Sequence, residues 1–154
     1  MQKTKPTMMV KIVTPEKSVF EGEVFQVTLP TTVGEITILP HHIPYIAGLK
    51  SGEVLLKGER GENSIAISDG FIEFRRNQLI VLADTAERAE EIDLERAEVA
   101  RKRAEDIKYE RIQVDEAEFA SVAVALEKEM ARVGVAKKHH TRKGVHVDQN
   151  ITQG

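Results

Sequence analysis

The hydrophobic period of this 154-residue chain changes near Thr85, and that change limits what each part can become. Before it, apolar residues come in short runs broken by Gly, Pro, Asn, Asp and Ser. The runs at 8–13, 18–20, 24–29, 35–39, 45–49, 53–57, 64–68, 71–75 and 79–83 predict strands. Side chains on a strand alternate between two faces, and turn residues at close intervals reverse the chain. Pro30 removes a ladder donor and ends one of these runs. The series predicts an antiparallel β-sandwich or flattened barrel over residues 1–84. With no Trp and only five Phe in the chain, its core must be aliphatic.

After Asp93 the period lengthens. Ala97, Ala100, Ala104 and Ile107 recur at the spacing of one helix face. A second stripe follows: Phe119, Val122, Leu126, Met130 and Val133. Asp115 and Glu118 form a capping-box pattern before it, and Gly134 is the expected C-cap. The short connection at 110–114 favours an antiparallel two-helix hairpin over residues 93–135. Residues 85–92, rich in Ala and Glu without a stripe, are expected to be a linker, and the basic and polar residues 136–154 a disordered tail. The first stripe is mostly alanine, and burying one methyl contributes only roughly 0.8 kcal/mol. Such a hairpin is expected to dock weakly and to have two arrangements a few kcal/mol apart. A static coiled-coil arm is the alternative.

Several classes of chemistry lack their residues. Without Cys there is neither a thiolate nucleophile nor a disulfide framework. A net charge of -3 gives no global pull toward nucleic acid or anionic lipid. No apolar run approaches the ~18–20 residues that cross a bilayer. Residues 1–6 carry two lysines but no apolar stretch of a secretory signal. The sequence has neither Gly-x-x-x-x-Gly-Lys-Ser/Thr nor Gly-x-Ser-x-Gly, and no catalytic residue is expected. His41 and His42 are adjacent on the chain, so they do not share a face as metal ligands on a strand would. His139, His140 and His146 offer at most adventitious metal binding. Arg101, Lys102 and Arg103 are read as a solvated helix face with local ion pairs, and Arg75 and Arg76 as an exposed hairpin end.

The stretch from Gly34 to Pro44, GEITILPHHIP, brackets His41, His42 and Ile43 between two prolines and makes a stiff corner that displays polar rings. A tight loop serving only its turn is the plainer reading. This stretch resembles the G-E-x-G-I-x-P-G-H-x-P signature of the epsilon subunit of bacterial and chloroplast rotary ATP synthases. Glu35, Ile38, Pro40, His42 and Pro44 stand at matching positions. Leu49-Lys50-Ser51-Gly52, Ser68-Asp69-Gly70-Phe71 and Val81-Leu82-Ala83-Asp84-Thr85-Ala86 match in order and spacing. The likeness runs from about Met8 to Val135. Thr37 and His41 replace glycines of the signature, so the backbone there must accept a Cβ. Val33 stands where the family often has an acid.

The resemblance implies a non-catalytic rotor subunit. Its β-sandwich would clamp the gamma subunit and sit on the polar loops of the c-ring, with Glu35 and His42 as candidate contacts. Its hairpin would permit turnover when folded down and, when extended along gamma toward the catalytic alpha and beta subunits, inhibit ATP hydrolysis. Ile92-Asp93-Leu94-Glu95-Arg96-Ala97 resembles the I/L-D-x-x-R-A motif linked in some bacterial epsilon subunits to ATP as a regulatory ligand. That resemblance assigns Glu87, Ile92, Asp93, Arg96, Ala97, Arg103, Lys128 and Arg132 to an ATP site, with Lys128 in place of an arginine. On the residues alone, Asp93 could instead simply cap the helix and Arg96 pair locally. No other cofactor, no metal and no nucleic acid is implied. The isolated chain is expected to be a monomer, held peripherally by its complex at the cytoplasmic face of the bacterial plasma membrane. A thylakoid stromal location is the lesser expectation. Two rival readings remain: a co-chaperone or adaptor dimerising through its long helix, and a small metal-dependent β-barrel enzyme.

Overall fold

Alternation of apolar and polar residues makes eight strands: β1 (Met8–Val13), β2 (Ser18–Val24), β3 (Gln26–Thr31), β4 (Gly34–Ile38), β5 (Tyr45–Leu49), β6 (Gly52–Gly58), β7 (Gly61–Arg75) and β8 (Gln78–Arg88). A 3-10 turn (Ala89–Glu91) leads to helices α1 (Leu94–Glu110) and α2 (Glu116–Ile151). The computed structural model describes residues 4–110 and 116–151, and for Glu110 and residues 143–151 the backbone alone.

The strands form one sheet in the order β2-β1-β8-β7-β5-β3-β4, with β6 paired to both β3 and β7. β7 is the strand on which the sheet folds over. Its first half pairs with β6 and its second with β5, while β8 runs antiparallel along its other edge. The change of partner falls at Asp69 and Gly70. Core-facing residues are Ile65 and Ile67 before it and Ile72 and Phe74 after it, so the alternation slips by one residue. Gly70 permits this, at φ 154°; a Cβ there would strike the Leu82 carbonyl oxygen. Leu29, Ile38, Leu56, Leu79 and Val81 are fully buried between the layers, and Phe74 is the largest buried side chain.

The sandwich expected from the sequence is present, with one departure. β1 lies parallel to β8, Met9 opposite Gln78. Period-two patterning sets which face is buried and carries no information about strand direction. The linker expected over 85–92 is also different. β8 continues to Arg88, because Thr85, Ala86, Glu87 and Arg88 pair with the first half of β7. Thr85 and Ser68 share a side-chain hydrogen bond of 2.7 Å, and Arg88 donates to the Val19 carbonyl.

The helices run antiparallel, since Lys108 of α1 lies over the Phe119 ring of α2 while Glu98 meets Lys137. The cap expected at Asp115 and the connection before it lie outside the described residues. Gly134 does not end α2, and the tail expected to be disordered is helical through Ile151. Val135 and Ala136 are buried just past the expected stop. The buried positions of α2 are Leu126, Val133, Val135 and Ala136, whereas Phe119 and Met130 of the predicted stripe are exposed. One reason is that α2 packs on β6 and β7 as well as on α1, so its buried arc is wider than a two-helix seam. On α1, Ala97 and Ala104 are buried and Ile107 is exposed.

Candidate functional site

The helices cover one end of the outer sheet face. Glu53, Ser64, Ala66, Thr85 and Glu87 lie beneath them, and the apolar contact is small: Ala66, Ala89, Ile92, Ala97, Val133, Val135 and Ala136, with Leu94 at the edge. Beside this cluster a cleft of about 410 Å³ opens between β8 and α2. It is lined by three acids (Glu16, Glu87, Glu91), three bases (Lys17, Lys128, Arg132) and residues 66, 67, 85 and 86.

Arg132 is the centre of this cleft. Its Nε donates to Glu87 Oε2 at 2.7 Å, Nη2 to Glu87 Oε1 at 3.3 Å, and Nη1 to Glu129 Oε2 at 2.8 Å. The hydrogen bonds to Glu87 dominate and, with the one to Glu129, raise the guanidinium's pKa against the opposing effect of burial. A planar fork on two carboxylate oxygens fixes the helix in both distance and direction.

The sequence-predicted ATP residues fall into three groups. Glu87, Lys128 and Arg132 meet in the cleft. Ile92 and Ala97 are buried in the alanine-rich cluster. Asp93 caps α1, accepting the Arg96 backbone N–H at 3.1 Å, and Arg96 Nε lies 3.6 Å from its other oxygen. The Arg96 side chain is 88% exposed; Arg103 is likewise exposed, and neither lines the cleft. Lys128 and Arg132 reach inward because the buried arc of α2 keeps Leu126 and Val133 of the predicted stripe but turns away from Phe119 and Met130 toward the sheet.

At the far end of the sandwich the proline-bracketed corner is rigidly held. His41 takes a left-handed φ of 63°, and its backbone N–H donates to Asn77 Oδ1 at 2.8 Å. Thr37, the other residue in place of glycine, shares a 3.0 Å hydroxyl contact with Thr28 on the neighbouring strand. His42 is half-buried, its Nδ1 2.7 Å from the Ile43 carbonyl oxygen and its ring edge-on to Tyr45 and Phe74. Ile43 is the apolar residue most displayed there, at 72% exposure, and Glu35 is exposed on β4.

A second surface was not predicted. Phe71 and Leu82 are opposite each other on β7 and β8, with Ile46 nearby on β5, and all three are exposed on the outer face. Phe71 and Leu82 are apolar residues at outward positions of their strands, a signal the alternation already contained, although Glu73 and Asp84 stand beside them on the same face. Among the described residues no helix is long and apolar enough to cross a membrane.

The sequence profile of the ATP synthase delta/epsilon chain beta-sandwich domain matches residues 7–89. The ATP synthase epsilon chain of Dehalococcoides mccartyi is 44% identical over 131 residues, spanning 85% of this chain and 93% of that one. That of Halalkalibacterium halodurans is 39% identical over 131 residues, spanning 85% of this chain and 98% of that one. Among solved structures, a chain of the Euglena gracilis mitochondrial ATP synthase assembly of OSCP, F1 and c-ring shares the fold, with a TM-score of 0.70. It is 22% identical, and the match covers 85% of this chain and 82% of that one. With a β-sandwich that matches the profile from end to end and bacterial relatives matched over nearly their whole length, this chain belongs to the ATP synthase epsilon-chain family.

Proposed function

We propose that this chain is a non-catalytic rotor subunit that joins gamma to the c-ring and restrains ATP hydrolysis through its hairpin. The observation that carries the regulatory part is the composition of the docked interface: alanines, short apolar residues and ion pairs, on a sandwich whose own core is large and aliphatic. An interface of that kind can release without unfolding what it rests on. The exposed face of Ile46, Phe71 and Leu82 suits the clamp on gamma. The corner with Ile43 and His42, together with Glu35, suits the c-ring loops. The extended hairpin would reach the alpha and beta subunits.

The test is a chain ending at Arg88, which keeps all of β8, assembled into the enzyme. It should bind gamma, keep synthesis coupled and raise ATP hydrolysis. Hydrolysis equal to that of the intact complex at full occupancy would make the hairpin structural only. Failure to recover gamma would remove the subunit reading itself.

ATP is proposed as a weak regulatory ligand of the docked hairpin, on the strength of the Ile92–Ala97 motif standing at the start of α1. The residues fit a triphosphate only in part. Arg132 is already neutralised by Glu87 and Glu129, the cleft balances acids against bases, and Arg96 and Arg103 stand outside it. Affinity is expected in the high micromolar range or weaker, about 4–6 kcal/mol. Calorimetry on the intact chain decides it, with Arg96→Ala as control. Absence of heat at millimolar ATP, or equal affinity in the variant, removes the site and leaves the family assignment standing.

A further inference from the structure

The last described side chains of α2 converge on one carboxylate of the sheet. Glu53 on β6 keeps only 13% of its side chain exposed. Its Oε1 accepts the Ser64 hydroxyl at 2.6 Å and Arg142 Nη1 at 2.9 Å, and its Oε2 accepts Lys138 Nζ at 3.1 Å. Lys138 and Arg142 are four apart and so lie on one face of the helix. From another side of the same turn, Lys137 Nζ reaches Glu98 of α1 at 2.7 Å. Val135 and Ala136, just before these residues, are 2% and 1% exposed. The end of α2 is therefore gripped from the sheet and from α1 at once.

These three bases stand at or just past the end of the resemblance to the family, which runs to about Val135. The 131 residues of this chain matched by the relatives already account for 93% and 98% of those chains. We propose that residues 137–142 are a latch at the end of the hairpin that holds it docked through the notch of Glu53 on β6 and Ser64 on β7, and through Glu98 on α1. The latch deepens the regulatory reading above and rests on it for its consequence in the enzyme, though not for its existence. Arg132 on Glu87 restrains α2 midway along its docked length. The notch restrains it ten residues further on, at Arg142, so release requires both to part.

Amide hydrogen exchange on the full-length chain tests this directly. Lys138→Glu with Arg142→Glu alters two partly exposed side chains, so folding of the sandwich is not at risk; Glu53→Gln attacks the notch from the sheet side. Exchange in α1 and α2 should quicken about 5- to 10-fold in the double variant, the effect of losing two modest ion pairs, while β1 and the first half of β8 keep wild-type rates. Unchanged helix exchange in the double variant overturns the latch. In the assembled enzyme, the unlatched hairpin should lower ATP hydrolysis. Faster exchange with unaltered hydrolysis supports the latch and counts against the regulatory role of the hairpin instead.

Discussion

In the sandwich, the residues that meet one another are mostly Val, Ile and Leu, with Phe74 and Met8; beneath the hairpin they are mostly alanines and valines flanked by paired charges. The two interfaces therefore fail differently. Fully burying a large aliphatic side chain contributes about 1.5–3 kcal/mol, and the sandwich has more than a dozen such positions. An alanine contributes about one methyl, and a partly exposed ion pair at most about 1 kcal/mol. The sandwich is a scaffold that stays folded. The hairpin sits on it through contacts that can be exchanged for solvent, or for another protein, at small cost. The proposed function, in which one part holds a rotor and the other comes and goes, calls for this division.

The strongest way to break the comparison is to attack the scaffold. Phe74 is 1% exposed and packs against His42 as well as the core. Phe74→Ala should cost about 3–5 kcal/mol and lower the thermal midpoint of the whole chain, sandwich and hairpin together. If only the helices loosened and the strands melted as before, the sandwich would not be the independent unit described here.

Next in size is the charge pair on the other side of the comparison. Arg132→Ala removes the pairs with Glu87 and Glu129 together, a loss of about 1–2 kcal/mol at up to about 1 kcal/mol for each partly exposed pair. It should appear as faster exchange or easier proteolysis of α1 and α2, with the melting of the sandwich nearly unchanged. A matching fall in sandwich stability would mean that the helices are part of its core.

The same division governs what could be read from the sequence. Inside the sandwich, strand positions, faces and the aliphatic core follow from alternation, because each strand's burial is a local property. The direction of β1 against β8 does not, nor does the slip of register at Gly70, since both depend on which strand arrives alongside. On the hairpin, local signals mislead. Gly134 looks like a stop, yet Val135 and Ala136 beyond it are buried on the sheet. Phe119 and Met130 look like a seam, yet α2 has a second surface to cover. The candidate site shows the same pattern. Glu87 and Arg132 were legible as residue types only through the family resemblance, and their pairing spans 45 residues. The notch at Glu53 gave no signal, because its partners Lys138 and Arg142 lie 85 and 89 residues away in what reads as a polar tail.

The smallest expected effect is also the most specific to the hairpin: a response to acid at Glu53. Burial pushes this carboxyl up, but hydrogen bonds from Ser64, Lys138 and Arg142, with the charge of Lys138, outweigh it and hold the group below its ordinary value of 4.5. A carboxyl whose pKa is depressed in the docked state contributes to docking fully above its ordinary value, and loses that contribution as pH falls through the depressed one. The contribution of Glu53 to docking should therefore be full and independent of pH near neutrality, and weaken in acid below 4.5. Glu98, held down mainly by its hydrogen bond from Lys137, titrates in the same direction, so acid release alone does not single out Glu53. The difference between the wild-type chain and Glu53→Gln does. The amide cannot titrate, so its helices should exchange faster at neutral pH, and the gap between the two chains should close as acid protonates Glu53. A gap that stayed constant down to strong acid would place the contribution of Glu53 in the geometry of its hydrogen bonds and not in its charge.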